Sequence, residues 1–477
     1  MKHRRLRRPR SRLLILAASC CFAGVSTAPA TAGVWRGTTL NAFGYGAAAA
    51  RQDLEQNRQA GANAVRIDIG WADLEPGAKG EVDGAYLTQV DDELAQADSR
   101  GLKVIAVVQG TPCWASSAPE ALRQGCAGDW RSRGVAAFPP VHASDYADAT
   151  AYIAQRWASR LAALEVWNEP NNATFLRSAN PARDYALLLE AAYPAVKAAA
   201  PLLPVVGGGL LYSDRDFLEA LYAQGIRGSF DAFSIHPYDN PRAAPQYGPK
   251  YHFAEGVPWV HDGMVAHGDG DKPLWLTEFG WPTCPPTLFE WCVSQSEQAE
   301  KLTDAFTIAA GWRYVGAEII YTLRDPGTDP NNWQDHMGLL QADYTPKPAW
   351  EAFIRALAPP APAAPAPTVA TPVSGAPATR AVASAKAAGH RGLSVDRARL
   401  LRRGLRLRVW LTCPGPDRCR SLVRVRRSGA RKYSTLATKP VSIAPGKRAA
   451  VTLALPRRAP LSQLAILLSA LPRKPAV

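Results

Sequence analysis

The chain has 477 residues, 47% of them hydrophobic, with 55 Lys and Arg against 41 Asp and Glu for a net charge of +14. That length allows a sizeable core and two or three domains, since one barrel can take about 250 residues by itself. The charge is divided: residues 380–477 hold 23 basic and 2 acidic side chains (+21), residues 33–379 hold 25 and 39 (−14), and the first 32 residues add seven basic ones. The basic excess is therefore mostly a property of the tail. Trp410 and Tyr433 are the only Phe, Trp or Tyr of that tail, too few to build a stacking surface for nucleic acid.

The chain opens on MKHRRLRRPRSR, continues through an apolar run from Leu13 to Val25, and reaches the small-x-small pattern Ala30-Thr31-Ala32. This is the layout of a secretory signal peptide over residues 1–32, cleaved after Ala32, so the mature protein is expected to be secreted or held at the cell envelope. No other run approaches the roughly 18 apolar residues of a membrane span.

From Asn41 onward strand-like and helix-like segments alternate. Strands are expected near Ala42–Gly44, Ala64–Asp68, Lys103–Val108, Ala163–Trp167, Leu203–Gly208, Ala232–Ile235, Pro273–Glu278 and Ala317–Leu323. Between them lie amphipathic stretches such as Arg51–Ala60, Leu87–Arg100, Tyr146–Arg160, Asp184–Ala199, Arg215–Gln224 and Ser296–Ala310. Parallel strands joined by crossover helices, eight times over, close into a (β/α)8 TIM barrel spanning residues 33–357, with its working residues at the C-terminal ends of the strands. Residues 358–390, beginning APPAPAAPAP, read as an Ala/Pro-rich linker. Residues 391–477 carry alternating runs such as LRLRVWL and VTLAL, which predict a small basic all-β domain, sandwich-like.

Six cysteines follow the leader: Cys113, Cys126, Cys284, Cys292, Cys413 and Cys419. An even number in an exported chain points to disulfides, and proximity pairs 113 with 126, 284 with 292 and 413 with 419. The first two pairs would brace loops after the third and seventh strands, each worth about 3 kcal/mol in the chain-entropy model. Neither CxxC nor HExxH accompanies them, so no zinc site is expected.

Two stretches carry the chemistry. In LEVWNEPNN, Leu164–Asn172, a short apolar strand runs into Trp167, Asn168, Glu169 and Pro170. Pro170 has no N–H and steers the residue before it away from helix, which ends the strand and presents Glu169 at its mouth. PLWLTEFGW, Pro273–Trp281, repeats the arrangement around Glu278. Here the chain resembles clan A of the glycoside hydrolases, the cellulase-like (β/α)8 enzymes, and most of all families 39 and 5. The likeness covers roughly residues 38–357. It implies Glu169 as acid/base after the fourth strand, Glu278 as nucleophile after the seventh, and Asn168 as the partner of a sugar hydroxyl.

Cleaving a glycosidic bond needs a proton for the departing oxygen and a negative charge beside the oxocarbenium-like centre, which two carboxyl groups supply. Glu169 and Glu278 fit that need. FSIHPYDN ends the sixth strand with His236 and Tyr238, which in the clan line the site, the tyrosine orienting the nucleophile. Arg66, in VRIDIGW, is expected to end the second strand, where it pairs with Glu278 or forms a structural salt bridge. Flat sugar faces stack on aromatic rings, so Trp71, Trp114, Trp281 and Trp333 are candidate subsite walls, each equally readable as core. Tyr321 stands where the clan often has a tryptophan.

No phosphate loop, nucleophile elbow or clustered histidine set appears, and no cofactor or metal is implied. The expectation is an exported retaining glycosidase acting on a poly- or oligosaccharide, its tail free to meet an anionic envelope polymer. The alternatives are transglycosylation by the same residues, or a carbohydrate-binding protein that has kept the barrel without its catalysis.

Overall fold

The computed structural model describes residues 33–40, 46–240, 245–358, 394–401, 406–413, 419–427, 435–444, 447–454 and 464–469. The chain divides into two compact units, Met1–Pro362 and Ala363–Val477. The expected leader and nearly all of the expected linker lie outside the described residues.

In the first unit eight parallel strands close into a barrel in chain order. They are β1 Trp35–Leu40, β2 Ala64–Gly70, β3 Lys103–Gln109, β4 Leu161–Val166, β5 Val205–Leu211, β6 Ala232–His236, β7 Leu274–Phe279 and β8 Val315–Ile320. A longer helix follows each: α1 Ala47–Ala60, α2 Gly84–Ser99, α3 Ala143–Trp157, α4 Pro181–Ala199, α5 Arg215–Gln224, α6 Phe253–Ala266, α7 Gln295–Ala309 and α8 Pro348–Leu357. This is a TIM barrel.

Local chemistry sets several of these boundaries. Asp83, Asn180, Asp214 and Ser294 each cap a helix by accepting a backbone N–H, and Glu297 completes a capping box with Ser294. Pro181 and Pro348 stand in first turns, where a missing N–H costs nothing.

Several strands start or end a few residues from expectation, and β1 and β5 show why. The first runs over Trp35–Leu40, upstream of Ala42–Gly44, which lies outside the described residues. Gly37 permits this placement, because a Cβ there would run into the Ala64 carbonyl of β2. In β5 the glycines expected to end the strand lie inside it, with a register shift against β6 between Gly207 and Leu210.

Side chains alternate across each strand. Val65, Ile67 and Ile69 of β2, like Leu164 and Val166 of β4, belong to the large cluster packed with the helices. The opposite face meets across the barrel interior, where Ala64, Ile105, Ala163, Val206, Ala232, Trp275, Ala317 and Ile319 form one apolar cluster with Trp35 against it. Further along the same interior faces stand Arg66, Asp68, Glu165, Ser234 and His236. The barrel is thus apolar low down and ionisable towards its C-terminal mouth.

The second unit comprises two three-stranded sheets, ordered β13-β10-β9 and β12-β11-β14, with antiparallel neighbours throughout. Their strands are β9 Ser394–Leu401, β10 Arg406–Thr412, β11 Cys419–Arg427, β12 Thr435–Ile443, β13 Arg448–Ala454 and β14 Leu464–Ser469. Val409 with Leu411, Val441 with Ile443, and Val451 with Leu453 are buried at a spacing of two, as the alternating sequence predicts.

Disulfides join Cys113 to Cys126 and Cys284 to Cys292, with Cα separations of 5.7 and 5.1 Å. Cys413 is also disulfide-bonded, and the side chain of Cys419 lies outside the described residues. Among the described residues no helix is long and apolar enough to cross a membrane.

Candidate active site

Arg66 is the hub. It is the third residue of β2 rather than its last, so its side chain lies within the barrel, 1% exposed. Each guanidinium nitrogen has its own acceptor. Nε donates to Glu165 Oε2 at 2.6 Å, Nη1 to Glu278 Oε1 at 2.6 Å and Nη2 to Asn168 Oδ1 at 2.8 Å. Arg66 thus makes one ion pair with Glu165, inside the barrel wall, and a second with Glu278.

Glu165 was not singled out from sequence. It is fully buried on β4, and its other oxygen accepts from Ser234 Oγ at 2.6 Å and Thr277 Oγ1 at 2.9 Å. Burial alone would raise its pKa, but Arg66, His236 and the Ser234 hydroxyl outweigh it, so the carboxyl is held below its ordinary value. A buried ion pair of this kind is stable only when its remaining valences are met, as they are here.

The Trp167–Pro170 turn places Glu169 in an unexpected way. β4 ends at Val166, and Trp167 (φ 64°) and Glu169 (φ 41°) both take left-handed backbone, not the extended form expected ahead of proline. Each such residue costs on the order of 1–3 kcal/mol and persists only where its surroundings fix it. They do: Trp167 N donates to Val108 O at 3.0 Å, and Glu169 N donates to Gly209 O at 2.9 Å. Gly209, itself at φ 58°, donates to Ser234 Oγ at 2.7 Å. The Glu169 carboxylate accepts from Asn172 Nδ2 at 2.9 Å.

Opposite stands Glu278, which follows Thr277 where β7 slips register against β8 between Leu276 and Phe279. Its Oε2 accepts from the Tyr238 hydroxyl at 2.7 Å. His236 Nδ1 lies 2.9 Å from Glu169 Oε1 and 3.5 Å from Glu278 Oε2, bridging the two. Burial pushes the imidazole pKa down, yet the two glutamates prevail and raise it. Burial and the Glu278 charge hold the Tyr238 phenol well above its ordinary value, so it remains a hydrogen donor. One atom each from Glu169, His236 and Glu278 lie within 4.8 Å of one another. A metal could be held by such a trio, but these carboxylates already take donors from Arg66, Tyr238 and Asn172.

The model for cellulase, glycosyl hydrolase family 5, matches residues 26–313, more than half of the chain. The chain belongs to glycosyl hydrolase family 5. A family 39 glycoside hydrolase from Bacteroides cellulosilyticus WH2 superposes with a TM-score of 0.54 at 18% identity, over 88% of this chain and 81% of its own. A family 5 subfamily 18 enzyme from Streptomyces cattleya, in complex with Manb1-4GlcNAc, gives 0.52 at 16%, over 68% and 80%. A subfamily 18 enzyme from Bifidobacterium longum subsp. infantis gives 0.52 at 17%, over 68% and 78%. These likenesses are of fold. No curated protein matches the chain.

In this family 5 glycosidase the aromatic candidates separate. Trp281 is 3% exposed and turns its indole N–H towards Asp239, and Trp71 is fully buried with its N–H on Glu75, so both are framework and neither offers a face to a sugar. Trp114 is half-buried, with its N–H on the Glu75 carbonyl. Tyr321, just past β8, packs edge-on to Tyr238 at 6.4 Å, and its peptide bond to Thr322 is cis. Trp333 stacks on Phe289 at 4.6 Å. Phe289 in turn meets Trp291, and Trp291 meets Tyr212 and Tyr251, so half-buried rings from the loops after β5, β6, β7 and β8 make one array. Of these, sequence reasoning had only Trp333. The Cys284–Cys292 loop, rich in aromatics, was the available clue to the others.

Proposed function

We propose that this chain is an exported retaining glycosidase that cleaves a poly- or oligosaccharide by double displacement. The observation that carries the reading is the carboxylate spacing: oxygens of Glu169 and Glu278 come within 4.8 Å. Retaining enzymes place the pair about 5–5.5 Å apart, whereas inverting ones need about 6.5–9.5 Å to admit a water. Glu278, oriented by Arg66 and Tyr238, attacks the anomeric carbon while Glu169 gives a proton to the departing oxygen. Water then enters, Glu169 takes its proton, and the ester to Glu278 breaks with overall retention. Asn168, fixed by Arg66, is the partner for a sugar hydroxyl.

Export is supported by the basic-then-apolar leader and by two disulfides, which belong to oxidising compartments. For the second unit we infer a sandwich of its two sheets, and a weak, salt-sensitive attachment to anionic envelope polymer through its basic excess.

The test uses 4-nitrophenyl glycosides, whose leaving group departs without a proton. Glu278→Ala should lose turnover entirely, and azide should restore it with inverted product. Glu169→Ala should keep the first step, stall at the intermediate, and give a retained azide adduct. The opposite pairing of stereochemistry would exchange the two roles, and full activity in either variant would remove that glutamate from the mechanism.

A further inference from the structure

Asp68 is a carboxylate that the double displacement does not use. β2 sets it two residues beyond Arg66 on the interior face, hence nearer the C-terminal mouth where a sugar must sit. Its Oδ2 accepts from Gln109 Nε2 at 3.2 Å. Gln109 is the last residue of the neighbouring strand β3 and lies on the interior face by the same alternation. Its Oδ1 is shielded from solvent and has no partner among the described residues. A buried carboxylate oxygen left unmatched is costly, and native folds retain one where a missing component supplies the donor. Arg66 does not supply it: its hydrogen bonds go to Glu165, Glu278 and Asn168, and none reaches Asp68. Burial, with Glu278 and Glu165 nearby, pushes the Asp68 carboxyl up to about 6 even against Arg66.

We infer, resting on the retaining reading above, that Asp68, steadied by Gln109, is a specificity-determining residue that accepts a hydroxyl hydrogen of the glycone, and that this subsite takes neutral sugars and rejects uronic acids. The second half follows from charge. Asp68, Glu165, Glu169 and Glu278 converge here on Arg66 and His236. The charge of Arg66 is already shared between Glu165 and Glu278, and His236 Nδ1 faces the two catalytic carboxylates. A uronate in this subsite would add its negative charge beside Asp68, in a group where four carboxylates already share Arg66 and His236.

The experiment measures kcat/KM for the full-length protein and Asp68→Asn on 4-nitrophenyl β-D-glucoside, mannoside, xyloside and glucuronide, then on monodeoxy forms of the best hexoside. Asp68→Asn should lose about 10- to 100-fold, the range for a hydrogen bond to a charged group. One monodeoxy substrate should lose a similar factor on the wild type and nothing further on the variant. A loss shared equally by every deoxy substrate, or a wild-type preference for the glucuronide, overturns the assignment. An unreduced melting temperature shows that the variant folds. Calorimetric binding of neutral gluconolactam and mannonolactam needs no turnover, and so separates this inference from the mechanism. Weaker binding to Asp68→Asn supports it, and undiminished binding, or binding of neither lactam to the wild type, overturns it.

Discussion

The lower and upper halves of the barrel interior are made from the same strands, yet they obey different rules. Low down, Ala64, Ile105, Ala163, Val206, Ala232, Ala317 and Ile319 fill space and carry no charge. A few residues on, the same faces hold Arg66, Glu165, Ser234 and His236, nearly every polar atom matched to a partner. The lower half gains free energy by burial. The upper half spends part of that gain to hold charges where water would otherwise solvate them. The strands are continuous, so substitutions on either side of the boundary should separate stability from turnover.

The largest effect is expected from Arg66→Met. It strands Glu165 and Glu278 without their cation, and breaking one side of a buried ion pair costs about 3–5 kcal/mol. Urea unfolding should show that loss, with turnover falling along with it. Retained stability would mean that the upper half is not held by this arginine.

Ile105→Ala, in the apolar half, should cost about 2–5 kcal/mol by transfer and cavity terms. Its kcat/KM below the melting range should stay within a few-fold of the wild type. A drop of 100-fold would show that the two halves are coupled through packing.

The smallest effect has the opposite sign. Asp68 has a folded pKa raised from 3.8 to about 6, so the folded state holds its proton more tightly than the unfolded one. Its contribution is most favourable below pH 4 and is lost as pH rises to about 6. Asp68→Asn should therefore be more stable than the wild type at pH 7–8, by on the order of 1–2 kcal/mol, since the residue is partly exposed, and the advantage should vanish near pH 4. Melting temperatures across that range check it.

The sequence disclosed Glu169 and Glu278 because each closes an apolar run beside a turn residue, a local pattern. It disclosed eight strands because apolar runs alternate with amphipathic helices. Glu165 stayed hidden for the reverse reason. It sits inside an apolar run, and its partner Arg66 is 99 residues away, a pairing that exists only once β2, β3 and β4 are in register. Trp281 misled because position after a strand says nothing about which side of the loop the ring takes. The left-handed backbone at Trp167 and Glu169 was illegible too, since it is imposed by Val108 and Gly209 on neighbouring strands.

The guanidinium of Arg66 is flat, and its three acceptors come from β4, from the turn after β4 and from β7. Glu165, Asn168 and Glu278 are therefore triangulated by one rigid plate, and Glu169, bonded next to Asn168, is carried with them. The gap between the Glu169 and Glu278 carboxylates is thus set in large part by the barrel wall. The loops that rise above it, with their aromatic rings and their disulfide, can therefore differ without moving the arginine plate that spaces the two glutamates.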